Sequence, residues 1–120
     1  MTGLAMSALP LDITTMRAAT ERVLGRGAGP LSDEGLETLR LQLRGHLQLL
    51  HPEVERAASL LPRGDDLRER ALTGAGEARM KLRLGPGDTH FVRVAVVQKL
   101  ARSVRALCDD YESLSGEGAS

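Results

Sequence analysis

Between Phe91 and Leu114 the chain runs FVRVAVVQKLARSVRALCDDYESL without a glycine or proline, and its apolar residues keep helical time throughout. Val97, Leu100, Val104, Leu107, Tyr111 and Leu114 recur at alternating steps of three and four, the spacing of a helix seam. Val94, Ala101 and Cys108 flank the seam on one side and Val96 widens it on the other, an arc broad enough to touch more than one neighbour. A helix of this kind has to be wrapped by others. The stretch therefore predicts the central helix of a small all-α domain.

The rest of the chain supplies the wrapping. Asp12 is placed to cap a first helix whose stripe is Ile13, Met16, Ala19, Val23 and Leu24, with Thr20 admitted if its hydroxyl bonds back to the helix backbone. The run GRGAGP, 25–30, ends it. Ser32 caps a second helix, with Asp33 and Glu34 in the first turn where the helix dipole favours negative charge. Its stripe, Leu36, Leu39, Leu43, Leu47, Leu50, Val54, Ala57 and Leu61, runs past Pro52 without losing phase. An unbroken phase favours one long helix kinked at Pro52 over a break there. After Pro62, Arg63 and Gly64, either Asp65 or Asp66 caps a third helix, and Asp66 with Glu69 has the spacing of a capping box. Leu67, Ala71, Gly74, Ala75, Ala78 and Leu82 form its inner face, small enough to let a neighbour approach closely. Gly85, Pro86 and Gly87 close that helix, and Asp88 opens the last.

Short connections favour antiparallel neighbours, so the expected architecture is an up-and-down bundle of about four helices over 12–114, with flexible tails at 1–11 and 115–120. The second and fourth helices, roughly 40 Å each at 1.5 Å per residue, outrun the first and third. Leu41, Leu49 and Leu60 fall outside the second stripe, and Val96, Leu100 and Leu107 belong to the broad arc of the fourth helix. These six residues are the candidate interface of an expected homodimer.

Composition narrows the function. The 120 residues are 42% hydrophobic and 27% charged, ordinary for a globular chain. Aromatics make up only 2%, which argues against base stacking on single strands. Sixteen basic and sixteen acidic residues cancel, so the surplus of cations that duplex binding requires is missing. Met1 to Leu11 lacks the features of a secretory signal, and no window has the apolar length of a membrane span. A cytoplasmic setting is expected.

Catalytic or metal chemistry has few places to reside. His46 and His51 are five residues apart and so do not share a helix face, no HExxH occurs, and Cys108 is the only cysteine. His46 reads as an interface histidine with a hydrogen-bonded ring, and Cys108 as packing on the inward arc of the last helix. TGAGEAR, 73–79, and GPGDT, 85–89, lack the remaining features of nucleotide-binding loops and read as structural. Asp109, Asp110 and Glu112 oppose the dipole at the end of their helix, which suggests pairing with Arg102 or Arg105, or contact with a partner. The polar set nearest the seams is Arg44, His46, Glu77, Arg79, Arg102 and Asp109, candidates for inter-helix pairs or for a pocket between helices. No cofactor and no metal is expected.

Four segments together, LDITTMRA from Leu11, LRLQLRGHLQLLHPEVE from Leu39, GEARMKLRLGPGDT from Gly76 and LARSVRALCDDYESL from Leu100, carry a resemblance. The chain resembles, over nearly its whole length, a family of small proteins from Streptomyces and related actinobacteria that are labelled uncharacterised or natural product biosynthesis protein. The resemblance implies a cytosolic protein in the setting of specialised metabolism, and it implies no activity, cofactor or catalytic residue. It also implies that a histidine commonly stands where this chain has Asp110, so no role as base or metal ligand carries over to that position. The leading expectation is a non-enzymatic bundle acting by self-association or by binding a protein partner. The alternatives are a ligand-binding or catalytic bundle with a pocket around His46, Glu77, Arg79 and Asp109, and a transcriptional regulator whose basic face is built by a dimer.

Overall fold

The structure, a computed structural model, describes residues 11–116. The expected tails fall outside the described residues except at Leu11, Ser115 and Gly116. Of these, Leu11 packs against the core and Ser115 caps the last helix. Four helices make up the fold: α1 (Ile13–Leu24), α2 (Asp33–Ser59), α3 (Asp66–Lys81) and α4 (His90–Leu114), with no strand among the described residues. None of them is long and apolar enough to cross a membrane.

Local chemistry sets each start. The Asp12 carboxylate accepts the Thr15 backbone N–H at 3.1 Å, and Ser32 Oγ accepts that of Gly35 at 3.0 Å. At α3 the cap is Asp65, whose Oδ1 accepts from Arg68 N at 3.0 Å. The expected box between Asp66 and Glu69 is therefore out of register, and Glu69 reaches back instead to the Gly64 backbone N–H at 3.4 Å. At α4 the cap is Thr89 rather than Asp88, its hydroxyl accepting from Val92 N at 3.2 Å. Thr20 is buried in α1 with its hydroxyl donating to the Arg17 carbonyl at 2.7 Å, so the polar atom enters the core already satisfied.

The second helix is continuous for 27 residues through Pro52. Proline there removes the N–H that would bond the Gln48 carbonyl, but both residues lie on the exposed side, where water can take the acceptor. Leu36, Leu39, Leu43, Leu47, Leu50 and Val54 are buried, as the stripe predicts. Ala58 rather than Ala57 holds the last core position, and the helix ends before Leu61.

Asp33, in the first turn of α2, bonds both His90 and Arg93 in the first turn of α4, so the two long helices start at the same end and run parallel. Between them α3 runs back, its early residue Arg70 pairing with Asp110 near the end of α4. Both α2 and α4 touch all three other helices, while α1 and α3 do not touch each other. Ala71, Ala75 and Ala78 of α3 are fully buried, consistent with a small-residue face that lets α3 lie close to the central pair.

This arrangement decides which apolar arc is used up. Surrounded by α1, α2 and α3, α4 packs Val94, Tyr111 and Leu114 half-buried against the core and spends the middle of its arc inside the chain, with Val96, Leu100 and Leu107 at 7%, 1% and 1% exposure. The expectation that these three residues face a second subunit is corrected: they are core. Leu41, Leu49 and Leu60 remain exposed at 56%, 58% and 77%. Along the length of the central pair the uncovered apolar surface thus lies on α2, while the large apolar side chains that α4 exposes are Phe91 and Val92, in its first turn.

Candidate functional site

The six polar residues singled out by sequence are dispersed over the bundle. Arg44 reaches from α2 to donate to the Leu82 carbonyl at the C-terminal end of α3, a capping contact between helices. Arg79 donates to Glu55 at 2.6 Å, and Glu55 also meets His51 Nδ1 at 3.1 Å, so that one carboxylate ties α2 to α3. Asp109 accepts from Arg17 of α1 at 2.8 Å, and the same guanidinium bonds Glu112. Arg102 is exposed and has no ion-pair partner among the described residues. The acidic end of α4 thus pairs with Arg17 and Arg70, from other helices, and not with Arg102 or Arg105 of its own.

His46 is half-buried, and burial pushes its pKa below the ordinary histidine value against the opposing pull of Asp12. Its Nε2 is buried with no hydrogen-bond partner among the described residues, which corrects the expectation of a hydrogen-bonded ring at that atom. Loss of charge is the physical response of such a ring, since a neutral imidazole costs less to bury than a charged one. Cys108 is fully buried and its thiol is pushed up to about 11, chiefly by that burial. A thiol held protonated in a core is a packing group, not a nucleophile.

Of the imagined pocket around His46, Glu77, Arg79 and Asp109, only Glu77 and Asp109 share a cavity. They line an open cleft of about 640 Å³ between α3 and α4, together with Arg70, Gly74 and Asp110. Asp110 is 7% exposed, and burial pushes its pKa above the usual carboxylate value while Arg70 Nε, 3.2 Å away, pulls the other way. A Cβ at Gly74 would make ordinary van der Waals contact there, 3.4 Å from Asp110 Oδ2 and 3.6 Å from Leu107 Cδ2. The charged groups lining the cleft are four carboxylates and one guanidinium, beside Thr73, Gly74 and Ala106, with neither histidine nor cysteine. Among the described residues no three His, Cys, Asp or Glu side chains are grouped to hold a metal ion.

Sequence reasoning missed two of the carboxylates that join helices. Asp33 bridges His90 at 2.7 Å and Arg93 at 2.6 Å, and Glu55 bridges His51 and Arg79. Asp33 carried a helix-start signal that accounted for it locally, and its partners lie 57 and 60 residues on. Phe91, half of the chain's aromatic complement, stands 82% exposed at the start of α4 although it opens the most apolar stretch of the sequence.

What remains is the outer face of α2. Leu41 and Leu49 stand on either side of Gly45, whose absent side chain leaves open space, with nothing within 4 Å of where a Cβ would be. Glycine in a helix interior costs roughly 1 kcal/mol relative to alanine, and here no contact within the chain requires it. A flat spot between two exposed leucines is a surface that a second helix can approach closely.

No curated protein and no solved structure matches the chain significantly. A family model does match, over residues 14–116, which includes all four helices except Ile13 at the start of α1. The chain belongs to the family of unknown function DUF6415.

Proposed function

We propose that the domain acts by protein–protein association through the outer face of α2. The observation that carries this reading is the exposure of Leu41 and Leu49, at 56% and 58%, around a glycine with no role in the chain's own packing. Large exposed apolar side chains that cluster on one element mark interaction sites more often than scattered ones do. The candidate polar residues support the same reading, because Arg44, Arg79 and Asp109 are engaged in helix-to-helix bonds and do not converge on a reacting atom. The sequence resemblance supports a place as an accessory or regulatory factor in actinobacterial specialised metabolism, inside the cell.

The test is a double variant, Leu41→Glu with Leu49→Glu, assayed for association by chemical cross-linking and by sedimentation, alone and with extract of the native cell. Circular dichroism should be unchanged, since both residues lie outside the core, and every specific cross-linked product should be lost. Products that survive the double substitution would refute the assignment of this face.

A further inference from the structure

Resting on the reading of α2 as an interaction face, we infer that its partner is a second copy of the chain, docked with α2 antiparallel to α2 about a two-fold axis at Gly45. The face is self-complementary when read outward from that glycine. Four residues to either side stand Leu41 and Leu49, seven to either side Thr38 and Pro52, and eleven to either side Glu34 and Arg56. Leucine faces leucine, the uncharged Thr38 faces the uncharged Pro52 and carboxylate faces guanidinium, and all six residues are exposed. In an antiparallel isologous contact a residue before the axis meets the residue equally far after it. Leu41 then lies beside Leu49 of the second copy, apolar on apolar. Thr38 lies beside Pro52, and its hydroxyl, already donating to the Glu34 carbonyl at 3.1 Å, brings no unpaired polar atom into the contact. Glu34 lies within reach of Arg56, and symmetry makes that ion pair twice.

A parallel pairing would oppose like to like, Glu34 to Glu34 and Arg56 to Arg56, so charge selects the antiparallel arrangement. Eight residues to either side stand Glu37 and Glu53, a like-charged pair at the flank, each already matched within its own chain, Glu37 by Arg40 at 2.8 Å and Glu53 by Arg56 at 3.1 Å. Glu34 has no ion-pair partner among the described residues, whereas Arg56 holds Glu53 at 3.1 Å on the open surface. At the axis the absent Gly45 side chain allows the two backbones to meet closely. A single seam of helix on helix, about 40 Å long, is at the small end of stable interfaces, so the association constant should correspond to a Kd on the order of micromolar.

The experiment is sedimentation equilibrium on the full chain up to about 100 µM, well above the range expected of so small a seam. It includes Glu34→Arg, Arg56→Glu and the double exchange. The wild type should be a reversible dimer. Each single exchange should weaken it about five- to tenfold, from two exposed ion pairs, and the double exchange should restore it. Under mild oxidation Gly45→Cys should give a disulfide-linked dimer, because only a residue at the axis meets its own copy, while Phe91→Cys should not. A wild type that stays monomeric, or single exchanges that the double exchange does not rescue, would overturn the second-copy inference. That failure is distinct from failure of the interaction face itself. A monomer whose cross-links to another protein vanish with Leu41→Glu and Leu49→Glu keeps the face and loses the self-pairing. A dimer indifferent to those two substitutions refutes both.

Discussion

Truncating Leu100 and Leu41 separates the two ends of this account, because one leucine lies in the core and the other on the surface. Leu100 is 1% exposed at the middle of α4, in the buried cluster formed by all four helices. Leu100→Ala removes a buried isobutyl group from a site that cannot fully collapse, a change that costs about 2–5 kcal/mol. For a domain of this size about 1 kcal/mol moves Tm by roughly 4–8 °C, so the variant should melt about 8 °C or more below the wild type. Leu41, at 56% exposure, contributes little to the monomer, and Leu41→Ala should stay within about 0.5 kcal/mol. Thermal and urea melts on dilute protein, where association does not contribute, provide the comparison. If Leu100→Ala cost less than about 1 kcal/mol, below any buried leucine truncation expected here, α4 would not be the enclosed helix and its arc would be free for a partner. If Leu41→Ala proved equally costly, the outer face of α2 would belong to the core and the proposed interaction would have no surface to use.

Other consequences can be checked with the same preparations. Gly45→Ala should stabilise the dilute monomer by roughly 1 kcal/mol, since the new methyl group meets nothing and only the helix propensity changes. Asp110→Asn should raise Tm at neutral pH. The folded-state pKa of Asp110 lies above its unfolded value, so the wild-type carboxyl loses stability as pH rises through that window, and the gain from Asn should shrink as pH falls below the ordinary carboxylate range. Cys108 should resist a thiol reagent at pH 8 in the native state and react fully on denaturation, because its thiol is buried and titrates at about 11.

The parts of this fold that were legible in the sequence are those decided within a few turns of chain. The seam of α4 repeats faithfully because every third or fourth side chain meets the same environment, and Val97, Leu100, Val104 and Leu107 are all buried accordingly. Asp12 and Ser32 act as caps where their residue types and positions predicted, since a cap needs only the next three residues. The cap of α4 fell one residue later than expected, on Thr89, where Asp88 was an equally good candidate by type. What the sequence left open was which arc would be covered. Val96 and Leu41 both sit beside a main stripe, and nothing local distinguishes them; one is buried because α4 is surrounded, the other exposed because α2 keeps an open side. Pairs such as Arg70 with Asp110, 40 residues apart, depend on the same global choice. The candidate polar site failed for that reason: its members are each near a seam, but near different seams.

The most direct test of the central claim is a dilution series of amide spectra recorded by nuclear magnetic resonance on the labelled wild-type chain. Resonances of Leu41, Gly45, Leu49 and their neighbours on the outer face of α2 should shift with concentration, while Leu100 and Leu107 in the core of α4 should not. Shifts centred instead on Leu60, Met80, Phe91 or Val92, the other large exposed apolar side chains, would place the association elsewhere and contradict the account.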